Sequence, residues 1–240
     1  LVLLIVSVGP ALSAERPNVL FIFSDDHAPH AIGAYNGWLK PVNPTPNIDQ
    51  LAKEGMLFEK SFCSNSICGP SRAVIMSGKH SHKNGFMNNG NSFDWTQQIF
   101  PKLLQKAGYT TGMFGKWGLG APGSEGDPVK QGWDEFYGYN CQRQAHTYYP
   151  PYLWHNDKQV PLDGKTYSHD LIHEQSLKFI RDNAKRPFFA YLPITIPHAA
   201  MHVPEEDAAP FRKKFPEHEN KIGRYRGPDV RNPAAMFAGM

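Results

Sequence analysis

The chain has 240 residues, of which 40% are hydrophobic, 12% aromatic and 20% charged. These proportions are typical of a globular protein long enough to bury a core, and they exclude a fibrous or largely disordered chain. The formal net charge of +3 is too small to indicate a nucleic-acid surface, and the basic excess is concentrated in residues 212–231. We therefore expect no nucleic-acid partner.

Residues 1–14 form an apolar stretch, LVLLIVSVGPALSA, with no charged side chain. Its length and the small residues Ser13 and Ala14 predict the later part of a secretory signal peptide and its cleavage site rather than a buried strand. The stretch is too short to span a bilayer, so no stable membrane insertion is expected. The protein is therefore predicted to be exported to the periplasm or the extracellular space, which are oxidising compartments.

Apolar strands alternate with helices along the rest of the chain. The predicted elements in chain order are a strand at 18–24, a helix opened by Thr45-Pro46 and closed by Gly55, a strand at 57–62, helices at 70–77 and 98–107, a strand at 109–114, a helix at 168–185 and a strand at 187–192. The continuous apolar run at 18–24 is typical of a strand covered on both faces. Residues 118–165 lack a clear period and are expected to form long loops near a site. The alternation predicts an α/β fold with a mainly parallel central sheet flanked by helices.

Two adjacent carboxylates, Asp25 and Asp26, lie where the first predicted strand ends. Parallel sheets bind their ligands at this end of the strands. Neighbouring carboxylates repel each other unless a cation or basic groups neutralise them, and their oxygen atoms favour Ca²⁺ or Mg²⁺ over zinc. A solvated Asp-Asp turn explains the pair equally well, so both interpretations stay open on these two residues alone.

The most specific segment is Cys68-Gly69-Pro70-Ser71-Arg72. If Pro70 is the first helical residue, Cys68 lies at the helix N-terminus, where free N–H groups and the helix dipole favour an anion. Arg72 follows four residues later on the same side and offers a planar set of donors to a tetrahedral oxyanion. A single cysteine is usually a small buried hydrophobic residue. The five-residue pattern instead favours an anion site.

This segment resembles the C-x-P-S-R signature of the formylglycine-dependent sulfatases, in which the cysteine is oxidised after translation to an aldehyde residue. Three further segments resemble the same family: residues 16–26 its opening strand and metal carboxylates, residues 45–55 its first helix, and residues 108–120 its second signature. The resemblance implies an alkaline-phosphatase-like fold. It also implies that residues 15–240 are the N-terminal part of a longer catalytic domain, truncated at the C-terminus.

The activity implied by this resemblance is hydrolysis of sulfuric esters, either aryl or carbohydrate sulfates. The hydrated aldehyde derived from Cys68 attacks sulfur, and its second hydroxyl later eliminates sulfate. A divalent cation, Ca²⁺ or Mg²⁺, is held by Asp25, Asp26 and the modified Cys68 and neutralises charge. The implied partners are a sulfated small molecule or carbohydrate and a formylglycine-generating or sulfatase-maturing enzyme.

The resemblance also assigns roles to three basic residues. Arg72 and Lys116 hold the hydrate and the sulfate oxygens as fixed positive charges. His198, which follows the predicted strand at 187–192, matches a family histidine that assists at the sulfate and the leaving group. Relatives carry further metal and sulfate ligands beyond the equivalent of residue 240, so these 240 residues alone are expected to be poorly active.

The sequence departs from the family pattern at Gly118, where the second signature usually has histidine. The missing imidazole removes one candidate for general acid or base catalysis. Our hypothesis is that His146 supplies the replacement, because it lies in the region expected to form loops near the site. His169 and His173 are four residues apart, a spacing that can bind a metal, but Asp170 and Glu174 favour a solvated polar helix face, and the pair stays unassigned.

Several alternatives remain open. One is a phosphatase or phosphodiesterase of the same superfamily, although those enzymes use Ser or Thr where this chain has Cys68. Another is a non-catalytic protein that binds sulfated glycans, which Gly118 keeps open. Cys63 and Cys141 are candidates for a disulfide in an exported protein. The aromatic stretch at 148–154 suits stacking on sugar rings and packing within a loop equally well.

Overall fold

The computed structural model describes residues 16–225 and 229–240, so the predicted signal peptide at 1–14 lies outside the described residues. Its main sheet has six strands: β1 (Val19–Ser24), β2 (Thr110–Lys116), β3 (Glu135–Tyr139), β4 (Tyr152–His155), β5 (Lys158–Pro161) and β6 (Phe188–Ile194). The strand order is β1-β6-β2-β3-β4-β5. The first four strands in this order pair in parallel, and β4 and β5 continue the sheet antiparallel.

Seven α-helices accompany the sheet in the described part of the chain: α1 (Pro46–Glu54), α2 (Cys68–Ser77), α3 (Ser81–Asn84), α4 (Phe100–Lys106), α5 (Ser168–Asn183), α6 (Glu205–Arg212) and α7 (Pro233–Gly239). Two short strands, β7 (Ile222–Gly223) and β8 (Val230–Arg231), form a separate antiparallel pair. The mainly parallel sheet with helices on both faces confirms the predicted fold class. Within the described residues, none of the helices is long and apolar enough to cross a membrane.

The core lies in two layers, one on each face of the sheet. Successive strand residues point to opposite faces, so Met113 and Phe114 of β2 enter different layers. Met113 packs with Met76 of α2 and with aromatic residues of β3 and β6. Phe114 packs against Phe179 of α5, with ring centroids 5.3 Å apart. The sheet is therefore held between α2 and α4 on one face and α5 on the other.

Two strand predictions are wrong. Residues 57–62 form no strand, and within the described part of the chain they pair with no other strand. Phe62 is 89% exposed, so the apolar run there does not enter the core. In β1, Leu20 and Ile22 are 50% and 51% exposed, although the run was predicted to be covered on both faces. Only the face of β1 that carries Phe21 and Phe23 packs on the core, whereas Leu20 and Ile22 on the other face belong to no core cluster of the described residues.

The region at 118–165 is more regular than its sequence predicts, because it contains β3, β4 and β5. These strands have only four or five residues each, too few to produce a clear period. The other predicted elements are present, with bounds shifted by a few residues. Two shifts affect the site: α2 begins at Cys68, and β2 extends to Lys116.

Candidate active site

The carboxyl ends of three neighbouring parallel strands meet at one edge of the sheet. Asp25 and Asp26 follow β1, Lys116 is the last residue of β2, and His198 lies four residues beyond β6. Adjacent parallel strands place their carboxyl ends on the same side, which explains why residues far apart in sequence meet here. The first turn of α2 adds Cys68 at the same place.

Asp25 is the centre of a buried ion network. Its side chain is only 6% exposed, and Lys116 Nζ donates a hydrogen bond of 2.7 Å to Asp25 Oδ2. Arg72 Nη2 lies 3.3 Å from the same oxygen, and Arg72 Nη1 donates to the Lys116 carbonyl at 2.5 Å. Burial raises the pKa of Asp25, but the charges of Arg72 and Lys116 outweigh it and hold this pKa below its ordinary value. The carboxylate is therefore fixed in its ionised form.

Cys68 is half-buried and lies against a second polar group. A hydrogen bond with His198 lowers the pKa of the Cys68 thiol, and burial opposes this effect. The charge of Lys116 and a hydrogen bond with Gln142 lower the pKa further, so the net shift is downward. His198 is buried, and its Nε2 lies 3.4 Å from Oδ2 of Asp26, whose side chain is 57% exposed. His198 thus connects the sulfur atom to the second carboxylate.

Two hollows lie near these residues. A cavity of about 300 Å³ is lined by both aspartates and by Cys63, Cys68 and Ser71. A larger cleft of about 780 Å³ is lined in part by Gly118 and Gln142. Its walls carry a mixture of amide, charged and aromatic side chains, including Asn89, Asn91, Trp95, Glu125 and Arg143. Gln142 lines the cleft and also contacts the Cys68 sulfur, so the cleft lies close to Cys68.

Two side chains, His146 and Gln142, are candidates to replace the histidine that is missing at position 118. The ring of His146 lies against that of His198, with centroids 4.9 Å apart, and His146 lines the larger cleft. The space directly above Gly118 is filled by Gln142: a Cβ atom at Gly118 would lie 2.6 Å from Gln142 Oε1. Sequence reasoning missed Gln142, because one amide in a region without a period gives no signal.

The carboxylate groups that would bind a cation are of the type that hard cations prefer. Asp25, Asp26 and Cys68 line one cavity, and carboxylate oxygens suit Ca²⁺ or Mg²⁺. Calcium takes about six to eight oxygen ligands, more than these residues supply. Across residues 16–225 and 229–240, no group of three or more His, Cys, Asp and Glu side chains is arranged to hold a metal. A cation here therefore needs further oxygen ligands from water, substrate or protein.

The remaining residues singled out in the sequence differ from their predicted roles. All three cysteines in the described chain are free, so Cys63 and Cys141 form no disulfide. His169 was predicted on a solvated face, but it is buried, and its Nε2 lies 2.6 Å from Thr195 Oγ1. In the aromatic stretch, Tyr148 is fully buried and its hydroxyl donates to the Thr195 carbonyl at 3.0 Å. Tyr148 therefore serves packing.

The family that this fold and site define is the sulfatases. The family model "Sulfatase" matches residues 17–234, so the chain belongs to the sulfatase family. An N-acetylglucosamine-6-O-sulfatase from Bacteroides thetaiotaomicron is 37% identical over 215 residues, which cover 89% of this chain and 36% of the relative. The N-acetylgalactosamine-6-sulfatase from Homo sapiens is 30% identical over 81% of this chain and 42% of the relative. The chain therefore spans less than half the length of these curated relatives.

Solved structures give the same result. A protein crystallised in complex with its substrate D-glucosamine-2-N,6-O-disulfate is similar with a TM-score of 0.70 and 34% identity, over 84% of this chain and 38% of that chain. A phosphonate monoester hydrolase from Agrobacterium radiobacter has a TM-score of 0.58 at 18% identity, which shows a shared fold. This match covers 94% of this chain and 56% of the hydrolase chain.

Proposed function

We propose that the protein is a sulfuric ester hydrolase acting on sulfated carbohydrates. The observation that carries this proposal is the meeting of Cys68, Arg72, Lys116 and His198 around the carboxylate of Asp25. The proposal is further supported by the relatives, whose names specify a sulfate at the 6-position of an N-acetylhexosamine. The wide polar cleft beside Cys68 has the size and chemistry to take the sugar alcohol.

The proposed site is completed by two groups that the unmodified chain does not contain. Conversion of Cys68 to formylglycine supplies a hydrated aldehyde as nucleophile, and a divalent cation, Ca²⁺ or alternatively Mg²⁺, supplies neutralising charge at Asp25, Asp26 and the modified Cys68. The modification requires a formylglycine-generating or sulfatase-maturing enzyme as a partner. Both aspartates lie on the cavity that Cys68 faces, which fits this division of roles.

Arg72 and Lys116 bind and orient the sulfate in this proposal. Both side chains are buried, and together they place two positive charges on one aspartate. Arg72 Nε is buried and has no hydrogen-bond partner among the described residues, so a sulfate oxygen would satisfy it. Fixed charges in a site that excludes water stabilise a developing negative charge more strongly than solvent does.

We assign the proton transfer to the departing alcohol to His198. Its contacts with the Cys68 sulfur and with Asp26 place it between the nucleophile and the second carboxylate. From there it holds the proton that the departing alcohol oxygen needs. His146 packs on the ring of His198 and remains our candidate for assisting this transfer.

The organisation of the whole protein is part of the same proposal. We assign residues 1–14 to a secretory signal and residues 15–240 to the N-terminal part of the catalytic domain. The protein would then act in the periplasm or outside the cell. This proposal is supported by the uncharged apolar stretch at 1–14 and by the sulfatase match that begins at residue 17.

The test combines a chemical and a kinetic measurement on the full natural protein, made together with a sulfatase-maturing enzyme. Mass spectrometry of the Cys68 peptide should show the aldehyde, and the protein should release sulfate from N-acetylglucosamine 6-sulfate. Cys68→Ala should abolish release, whereas Gln159→Ala, at an exposed position of β5, should leave it unchanged. An unmodified thiol together with no sulfate release would contradict the proposal.

A further inference from the structure

Gly118 has a backbone conformation and surroundings that exclude an ordinary side chain. Its φ of 74° lies in the left-handed region, which glycine adopts without strain. A Cβ atom built there would lie 2.6 Å from Gln142 Oε1 and 3.5 Å from Arg72 Cδ. The position above Gly118 is therefore next to Arg72, and the Gln142 amide already occupies it.

The Gln142 amide is held in this position without being satisfied by the protein. Apart from its contact with the Cys68 sulfur, neither Oε1 nor Nε2 has a hydrogen-bond partner in the described part of the chain, and both atoms are shielded from solvent. A buried amide without partners costs free energy, so such groups usually meet a ligand or an ordered water. Gln142 lines the large cleft and also contacts the Cys68 sulfur, so it lies between that cleft and Cys68.

We propose that Gln142 is a substrate-binding residue that donates a hydrogen bond from Nε2 to a sulfate oxygen at Cys68. This inference rests on the proposed function, because it assumes that the ester sulfate lies beside Cys68. Arg72 binds the sulfate with a charge, whereas Gln142 binds it with a neutral group. Gly118 is required because any larger residue would displace the amide.

A neutral hydrogen-bond donor can be distinguished from a charged one by pH and by substitution. Gln142 does not titrate between pH 5 and 9, so its hydrogen bond stays the same across that range. Replacement by methionine keeps most of the volume of the side chain and its neutrality but removes both N–H donors. A residue that only fills space would tolerate this change without a loss of sulfate affinity, whereas a sulfate donor would not.

The experiment measures binding without turnover. The full natural protein carrying Cys68→Ser is titrated with N-acetylglucosamine 6-sulfate by isothermal calorimetry, alone and with Gln142→Ala or Gln142→Met. We expect the dissociation constant to rise about ten-fold or more for both variants, the value of a hydrogen bond to a charged group. The matched controls Gln159→Ala and Gln159→Met change an exposed glutamine on β5 and should leave it unchanged.

The possible outcomes separate this inference from the proposed function. Unchanged affinity in both Gln142 variants, with the parent protein binding normally, would overturn the role of Gln142 and leave the sulfatase proposal standing. No binding by the parent protein would overturn both. Should Gln142→Ala fail to fold, shown by the loss of its thermal transition, the neutral Gln142→Met of similar volume decides alone: normal affinity would refute the inference, and weakened affinity in a folded protein would support it.

Discussion

The ion network around Asp25 explains why two buried cations are needed at one carboxylate. Arg72 and Lys116 both contact Asp25 Oδ2, so these three side chains carry one positive charge in excess. Buried charges are costly unless they are paired, and a bound sulfate monoester would supply the missing negative charge. In the proposed function, this excess positive charge favours the binding of an anionic substrate.

Replacing Lys116 tests this interpretation. Lys116→Met keeps most of the side-chain volume and removes the charge, so we expect the rate of sulfate release to fall about 100-fold or more. The measurement is the release of sulfate from N-acetylglucosamine 6-sulfate under saturating cation. Lys106→Met, at an exposed position in α4, is the matched control and should keep the parent rate. A rate within three-fold of the parent for Lys116→Met would refute the assigned role.

At the residue scale, the sequence predicted those site residues that belong to a motif. Cys68 and Arg72 were found because four residues of helix place them on the same side, and Asp25 because strand ends bind ligands. Gln142 and His169 were missed or misread, because their roles depend on which side chains surround them after folding. Burial of a single polar residue leaves no pattern in the sequence.

At the element scale, α5 contains a buried titratable group. His169 lies in its first turn, packs edge-on against Tyr148 with ring centroids 4.6 Å apart, and contacts Thr195. Burial lowers the pKa of His169 to about 3. The imidazole is therefore neutral in the folded protein at pH 5 and above.

This burial predicts a pH dependence of stability. In the unfolded chain His169 has its ordinary pKa of about 6.5, so below this pH the unfolded state binds a proton that the folded state does not. Stability should therefore be lost as the pH falls below 6.5, by up to about 1.4 kcal/mol per pH unit from this residue. The measurement is the free energy of unfolding in urea at pH 7.5 and pH 5.

The control for this measurement is another histidine of the same helix. His173 is exposed, so His173→Gln should keep the pH dependence of the parent protein, whereas His169→Gln should reduce it. Other histidines contribute to both profiles, and the comparison between the two variants removes their effect. Equal slopes for the two variants would show that His169 does not carry the predicted proton linkage.

Four of the seven described helices, α1, α2, α4 and α5, and the long strands were predicted, because proline, glycine and apolar runs mark their ends. The short helices α3, α6 and α7 were not predicted. The failures among the strands have a common cause. The run at 57–62 has strand composition but no neighbouring strand in the described structure, and β3, β4 and β5 are too short to show a period. Strand formation depends on pairing, and pairing is a property of the whole fold rather than of a segment.

At the scale of the whole molecule, the outer edge of β1 is exposed. Leu20 and Ile22 point away from the core, and β1 pairs only with β6 among the described strands. An open strand edge with apolar side chains is a surface on which other strands or chains associate. The chain spans 36% and 42% of two sulfatase relatives, so an uncovered surface of this kind accords with its partial coverage of the family.

We therefore expect residues 16–240 produced alone to associate through β1. Light scattering should detect oligomers at micromolar concentration, and Ile22→Lys should reduce them, because a charged residue on an edge strand opposes pairing. Leu103→Lys is the matched control: it places the same charge at an exposed leucine of α4 and should leave the oligomers unchanged. Association that persists equally in both variants would place the contact elsewhere. If the parent protein is monomeric, the β1 edge does not mediate association, despite its exposed leucine and isoleucine.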